Sequence, residues 1–65
     1  MKNLDSNRIH VYNYIAKYFN LDEVNLREFS VFPGGIIVED RIGGFMLFYW
    51  DIEKQKVVFE NNDKS

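Results

Sequence analysis

The sequence predicts an α+β fold, in which an N-terminal amphipathic helix packs on one face of a four-stranded antiparallel β-meander. Two observations lead to this prediction. Apolar side chains recur at helical spacing between residues 4 and 20, whereas from residue 26 onward they alternate with polar ones or form short runs between turn residues. The 65 residues are expected to form one small domain, residues 1–65.

The helix is predicted over about residues 4–20. Asp5 or Ser6 can cap its N-terminus, and Asn20 can serve as its C-cap. At about 100° per residue, one half of the helical wheel is apolar, and the other half, which includes His10, is expected to face solvent. The apolar half contains Ile9, Val11, Tyr12, Ile15, Ala16, Tyr18 and Phe19.

Four strands are predicted after a short connector at residues 21–25. The turn signals between them are Pro33-Gly34-Gly35, Gly43-Gly44 and a polar loop at 51–55. The third strand reads Phe-Met-Leu-Phe-Tyr-Trp, so it is apolar on both of its faces. A polar tail, residues 61–65, is expected to be frayed. The predicted strands cover about residues 26–32, 36–42, 45–50 and 56–60.

The expected hairpin loops determine which side chains share a face of the sheet. A two-residue loop at Gly43-Gly44 would pair Ile42 with Phe45 and Ile37 with Trp50. A loop of two or four residues between the third and fourth strands would direct the Val58 side chain to the first of the two faces and the Val57 side chain to the second. The first face, expected to contact the helix, then holds Phe29, Val31, Ile36, Val38, Ile42, Phe45, Leu47, Tyr49 and Val58, with Asp40 as a polar interruption at the sheet edge or paired with Arg8 or Lys17.

The second predicted face has an apolar centre and a charged rim, which is typical of a protein interface. Glu28 and Ser30 belong to its rim. The candidate partner-binding residues, with Trp50, Phe48 and Met46 as anchors, are Ile37, Glu39, Arg41, Met46, Phe48, Trp50, Val57 and Phe59. The alternative is that a loop or the tail folds over this face, or that a bulge shifts the register.

Composition argues against most other classes of site. The net charge is −2, and few cations surround the predicted aromatic face, so nucleic acid is not the expected partner. The chain has no cysteine and one histidine, which excludes a disulfide and disfavours zinc. No cofactor or metal is expected. No uncharged stretch is long enough to span a membrane and no apolar signal segment is present, so a cytoplasmic location is expected.

No catalytic constellation is visible in the sequence. His10 falls on the solvent side of the wheel, and the serines do not form a nucleophile elbow or a triad spacing. Glu39 and Asp40 are adjacent, and adjacent residues on a strand point to opposite faces. The chain is therefore not expected to be an enzyme.

The sequence instead favours a small non-catalytic protein-binding module. A homodimer that buries the second face would supply stability to a short chain, and partner proteins could bind the same face. Small acidic domains of this kind are typical of inhibitors or adaptors of phages and other mobile elements. The alternative function is single-stranded nucleic-acid binding, with Phe48, Trp50 and Phe59 stacking on bases.

Overall fold

A computed structural model describes residues 6–61 of the chain and confirms the predicted α+β fold. One helix packs against a single four-stranded sheet of order β1-β2-β3-β4, in which all neighbouring strands are antiparallel. The elements are α1 (Ser6–Tyr18), a 3₁₀ turn (Leu21–Glu23), β1 (Asn25–Glu28), β2 (Ile36–Glu39), β3 (Phe45–Asp51) and β4 (Lys56–Asn61).

The helix α1 ends at Tyr18, two residues before the predicted end. Asn20 is not its C-cap, because the Asn20 side chain instead accepts a hydrogen bond of 3.1 Å from the Asp22 N–H and caps the 3₁₀ turn. The predicted cap at Asp5 and the predicted frayed tail beyond Asn61 lie outside the described residues. Within residues 6–61, no helix has the length and apolarity to cross a membrane.

The buried stripe of α1 is narrower than the predicted apolar half of the wheel. Val11 and Ile15 are fully buried, and the half-buried Tyr14, predicted on the solvent side, also packs against the core. Ile9 and Tyr12 were expected inside but are 40% and 44% exposed. The four-stranded sheet therefore covers only the side of α1 that is centred on Val11 and Ile15.

The first predicted strand is too long, because β1 ends at Glu28 and residues 29–35 form a loop. Within this loop, Gly34 has a φ of +62° and lies against the α1 backbone, where a Cβ atom would come within 2.6 Å of the Asn7 carbonyl carbon. The Pro33 carbonyl accepts a hydrogen bond of 2.9 Å from the Trp50 N–H. Two contacts, one to α1 and one to β3, thus hold the loop in place.

The turn between β2 and β3 differs from the predicted two-residue loop. Gly43 donates a hydrogen bond to the Asp40 carbonyl at 3.4 Å, and Asp40 donates to the Gly44 carbonyl at 2.9 Å. Gly43 has a φ of +91°. These features describe a type I turn followed by a glycine bulge, a common three-residue hairpin connection. Phe45 consequently pairs with Glu39 and not with Ile42.

The observed pairing partner of Phe45, Glu39, lies an odd number of positions from the predicted partner, Ile42. A register shift by an odd number of residues turns every side chain of β3 to the opposite face of the sheet relative to β2. The predicted face assignment of β3 and β4 is therefore wrong, whereas Ile36 and Val38 of β2 do face the helix. We call the side that contacts α1 the helix-side face. Its members on these strands are Ile36, Val38, Met46, Phe48, Trp50, Val57 and Phe59.

The opposite side of the sheet is called the open face, and its apolar members on the strands are Ile37, Phe45, Leu47, Tyr49 and Val58. Of the two predicted loop lengths between β3 and β4, two or four residues, the structure has the longer, since Asp51 pairs with Lys56 and Tyr49 with Val58. β4 continues to Asn61, which was assigned to the tail. Because β4 keeps its pairing with β3, the side chains of both strands lie on the faces of the sheet opposite to those predicted.

Candidate functional site

The predicted partner-binding residues are divided between three places in the structure. Ile37 and Glu39 lie on the open face, and Arg41 lies exposed in the turn between β2 and β3. The remaining predicted partner-binding residues lie on the helix-side face, although the sequence predicted them on an exposed surface. They are Met46, Phe48, Trp50, Val57 and Phe59.

Phe48 is part of the hydrophobic core and is only 2% exposed. The rings of Tyr14, Phe19 and Phe59 lie 5.6–5.9 Å from its own ring, and the Phe19 ring meets it edge to face. Rings at this separation stabilise a core beyond the area that they bury. Phe48 is therefore a structural residue in this fold and has no surface to offer a partner.

Trp50 is stacked against His10 of α1, with ring centroids 4.7 Å apart and an interplanar angle of 23°. The helix therefore covers the indole ring that was expected to anchor a partner. The nucleic-acid alternative depended on Phe48, Trp50 and Phe59 as a stacking platform. Of these, Phe59 at 52% exposure is the one whose ring is largely accessible, so the expected platform is not formed.

The open face contains a shallow apolar groove of about 210 Å³. Ile37 and Leu47 are half-buried in it, and Phe45 at its margin is 42% exposed. The groove is lined by Phe29, Ile37, Phe45, Leu47, Glu60 and Asn61. No described helix or strand crosses this part of the sheet, so its centre is apolar and accessible.

The loop of residues 29–35 covers the other end of the open face. The Phe32 ring stacks on Tyr49 at 4.6 Å with an interplanar angle of 21°, and the Phe29 ring lies 6.0 Å from Phe32. The loop therefore covers Tyr49, a residue predicted on the helix side, and not the second predicted face. The accessible groove is what the loop leaves uncovered between Phe29 and Phe45.

Charged side chains surround the groove. At one side, Arg27 donates a hydrogen bond of 3.1 Å to Glu39 across the paired strands β1 and β2. At the other side, Glu60 lines the groove. In the part of the chain that the structure describes, no cation lies within ion-pair distance of the Glu60 carboxylate. Among residues 6–61, the groove therefore combines an apolar floor with a negative charge, Glu60, that has no ion-pair partner.

A second depression, of about 400 Å³, lies between the end of α1 and the turn between β2 and β3. Phe19, Val24 and Ile42 supply its apolar walls. The Asp40 carboxylate borders it but is engaged by the amides of Ile42 and Gly44. Tyr18, Asn20, Glu23 and Arg41 complete its lining.

The described residues also lack a cluster of histidine, aspartate and glutamate side chains that could hold a metal ion. His10, the single histidine of the chain, stacks on Trp50 and lies away from the groove.

The groove of the open face, at about 210 Å³, is smaller than the roughly 300–1,000 Å³ of typical small-molecule sites. The geometry is suited to contact with a macromolecular surface.

Sequence reasoning assigned Phe45 and Leu47 to the helix side and therefore missed them as candidate site residues. The signal that identifies them is the segment Asp40-Arg41-Ile42-Gly43. Aspartate at the first position and glycine at the fourth are typical of a type I turn. This turn sets the register in which Phe45 and Leu47 join Ile37 on the open face.

Comparison of the chain with models of protein families, with curated proteins and with solved structures found no match.

Proposed function

We propose that this chain is a non-catalytic protein-binding module whose open face binds an apolar segment of a partner protein. The observation that supports this proposal is the accessible apolar groove formed by Ile37, Phe45 and Leu47 beneath a charged rim. Burying apolar surface is the main source of affinity in protein association, and a polar rim adds specificity. The chain would act on its partner by binding to it, without catalysis, as an adaptor or an inhibitor does.

The chemistry of the rim defines the partner segment more closely. Arg27 already neutralises Glu39, whereas Glu60 beside the groove faces no described cation. A partner that inserts a large apolar side chain and places a lysine or arginine next to it would satisfy both features. The net charge of −2 favours the approach of such a basic segment.

The proposal can be tested by selecting binders from a displayed library of random peptides against the immobilised chain. We expect the selected peptides to share a large apolar residue next to a basic one. Phe45→Asp should weaken their binding about tenfold or more, because it places a charge at the margin of the groove. NMR amide shifts on binding should concentrate at Ile37, Leu47 and Glu60.

Tyr12→Asp is the matched control variant. Tyr12 is 44% exposed, close to the 42% of Phe45, but it lies on the outer side of α1. Both variants should retain the helix and the sheet in circular dichroism. Equal loss of binding in the two variants, or amide shifts confined to α1, would overturn the proposal.

A further inference from the structure

The outer edge of β4, which borders the open face, is a second surface that is available for binding. β4 pairs with β3 on one side, and no described strand pairs with its other side. Alternate residues of an antiparallel strand direct their N–H and C=O groups away from the neighbour, so this edge presents unpaired groups. Such edges pair readily with another chain unless the sequence protects them.

Protection of this edge is weak. β4 is six residues long, contains no proline and pairs with β3 without a bulge from Lys56 to Asn61. The opposite edge, β1, has only four residues. Short strands, proline and bulges are three of the devices against edge pairing, and β4 has none of these three; its protection is limited to the charges of Lys56 and Glu60.

The sequence of β4 is complementary to itself when two copies run antiparallel. If Val58 lies opposite Val58 of a second copy, Val57 lies opposite Phe59 and Lys56 lies opposite Glu60. Opposite charges and apolar pairs across strands both stabilise a sheet. Moving the register by two residues in either direction would instead place Lys56 or Glu60 opposite Val58. One register therefore matches every pair by its chemistry.

This register also preserves the two faces of the sheet. Val57 and Phe59 belong to the helix-side face, so their pairing would extend the hydrophobic core across the seam and cover Phe59, which is 52% exposed in the single chain. Val58, Lys56 and Glu60 would meet on the open side. The two copies would be related by a two-fold axis perpendicular to the sheet, as in an isologous dimer.

We infer that β4 is a self-association edge and that two copies of the chain join through it in the register centred on Val58. Two four-stranded sheets thereby become one continuous sheet of eight strands. Both helices lie on one side of this sheet and both open faces lie on the other. The seam shares Glu60 with the margin of the groove, but no step of the inference requires the proposed peptide binding.

Charge exchange at the seam provides the test, with solution mass measured by sedimentation equilibrium over a wide concentration range. The unmodified chain is expected to be a dimer. Lys56→Glu places two like-charged pairs at the seam, and Glu60→Lys does the same with the opposite sign. Each variant alone should dimerise about tenfold or more weakly.

Two recovery experiments separate the register from a general loss of stability. In the double variant Lys56→Glu/Glu60→Lys, the pairs are again of opposite charge, so dimerisation should return. An equimolar mixture of the two single variants should also form a heterodimer, because each supplies the charge that the other lacks. Within one chain, Lys56→Glu also places a like charge opposite Asp51. This repulsion is the same in the single and the double variant, so it cannot explain a recovery of dimerisation.

A cysteine cross-link gives an independent readout, because the natural chain has no cysteine. Val58→Cys should form an intermolecular disulfide rapidly on mild oxidation, since two copies of residue 58 face each other. Val31→Cys, at a position 73% exposed in the loop, should cross-link slowly. A monomeric unmodified chain, or a dimer that is indifferent to the single charge changes, would overturn the inference. Phe45→Asp should leave the dimer intact, which distinguishes this result from the test of the groove.

Discussion

The Asp40 carboxylate accepts a hydrogen bond of 2.8 Å from the Gly44 N–H, and this contact helps to decide which side of β3 meets the helix. The same oxygen accepts a second hydrogen bond, of 3.0 Å, from the Ile42 N–H. Together they stabilise the type I turn with Gly43 at a φ of +91°. The turn pairs Glu39 with Phe45, and the alternation of side chains then directs Phe48 into the core.

The first prediction concerns this turn. Asp40→Ala removes both side-chain hydrogen bonds and should lower the free energy of unfolding by about 1 kcal/mol, measured by urea denaturation. Asp40→Asn keeps an acceptor oxygen at the same position and should retain most of the stability. If the two variants lose the same amount, the carboxylate does not act through these hydrogen bonds.

The second prediction compares two glycines that both have positive φ. Gly43→Ala meets no atom within 4 Å, so it should cost about 1–2 kcal/mol of stability, from backbone strain alone. Gly34→Ala has the same kind of strain and also brings its Cβ to 2.6 Å from the Asn7 carbonyl carbon. Overpacking adds about 1–3 kcal/mol, so the total should be about 2–5 kcal/mol.

Urea denaturation of the two glycine variants side by side measures the cost of packing the loop against α1. The backbone strain is common to both, so their difference reports the close approach to the helix. Equal losses would mean that the loop moves away from α1 without cost and that Gly34 is not needed for packing.

The third prediction compares neighbouring residues of β3 that point to opposite sides. Phe48→Ala removes a ring from the core and should cost about 3–5 kcal/mol in denaturant unfolding. Leu47→Ala removes a half-buried side chain from the open face and should cost about 1 kcal/mol. The opposite order would follow from the register with a two-residue loop at Gly43-Gly44, so this pair of variants tests the register directly.

The types and order of the secondary-structure elements could be predicted because each has a local signal. Helical spacing marks α1, and apolar runs between turn residues mark the strands. The run Phe45–Trp50 has no alternation, so its own sequence does not distinguish its two faces. Only the turn does so, and the segment 40–44 is compatible with two turn types that differ in register.

The prediction of the candidate site depended on the choice between these two turn types for the segment 40–44. With the register reversed, Phe48 and Trp50 exchange places with Leu47 and Phe45 across the sheet. The first part of the loop at 29–35, residues 29–32, is also predicted as strand, because Phe29 and Val31 alternate with Glu28 and Ser30. Long-range contacts decide this segment, since Gly34 packs on α1 and Phe32 stacks on Tyr49. Periodicity in the sequence does not report such contacts.

The fourth prediction concerns the stacking of His10 on Trp50, which is the single tryptophan of the chain. His10→Ala uncovers one side of the indole ring, so the fluorescence emission of Trp50 should shift to the red. Loss of the ring pair should also lower the free energy of unfolding by about 0.5–1.5 kcal/mol. His10→Phe keeps an aromatic ring over the indole and should preserve both the emission maximum and most of the stability. Identical spectra for the alanine and phenylalanine variants would mean that the residue 10 side chain does not cover Trp50 in solution, and the helix would then have to pack on β3 differently.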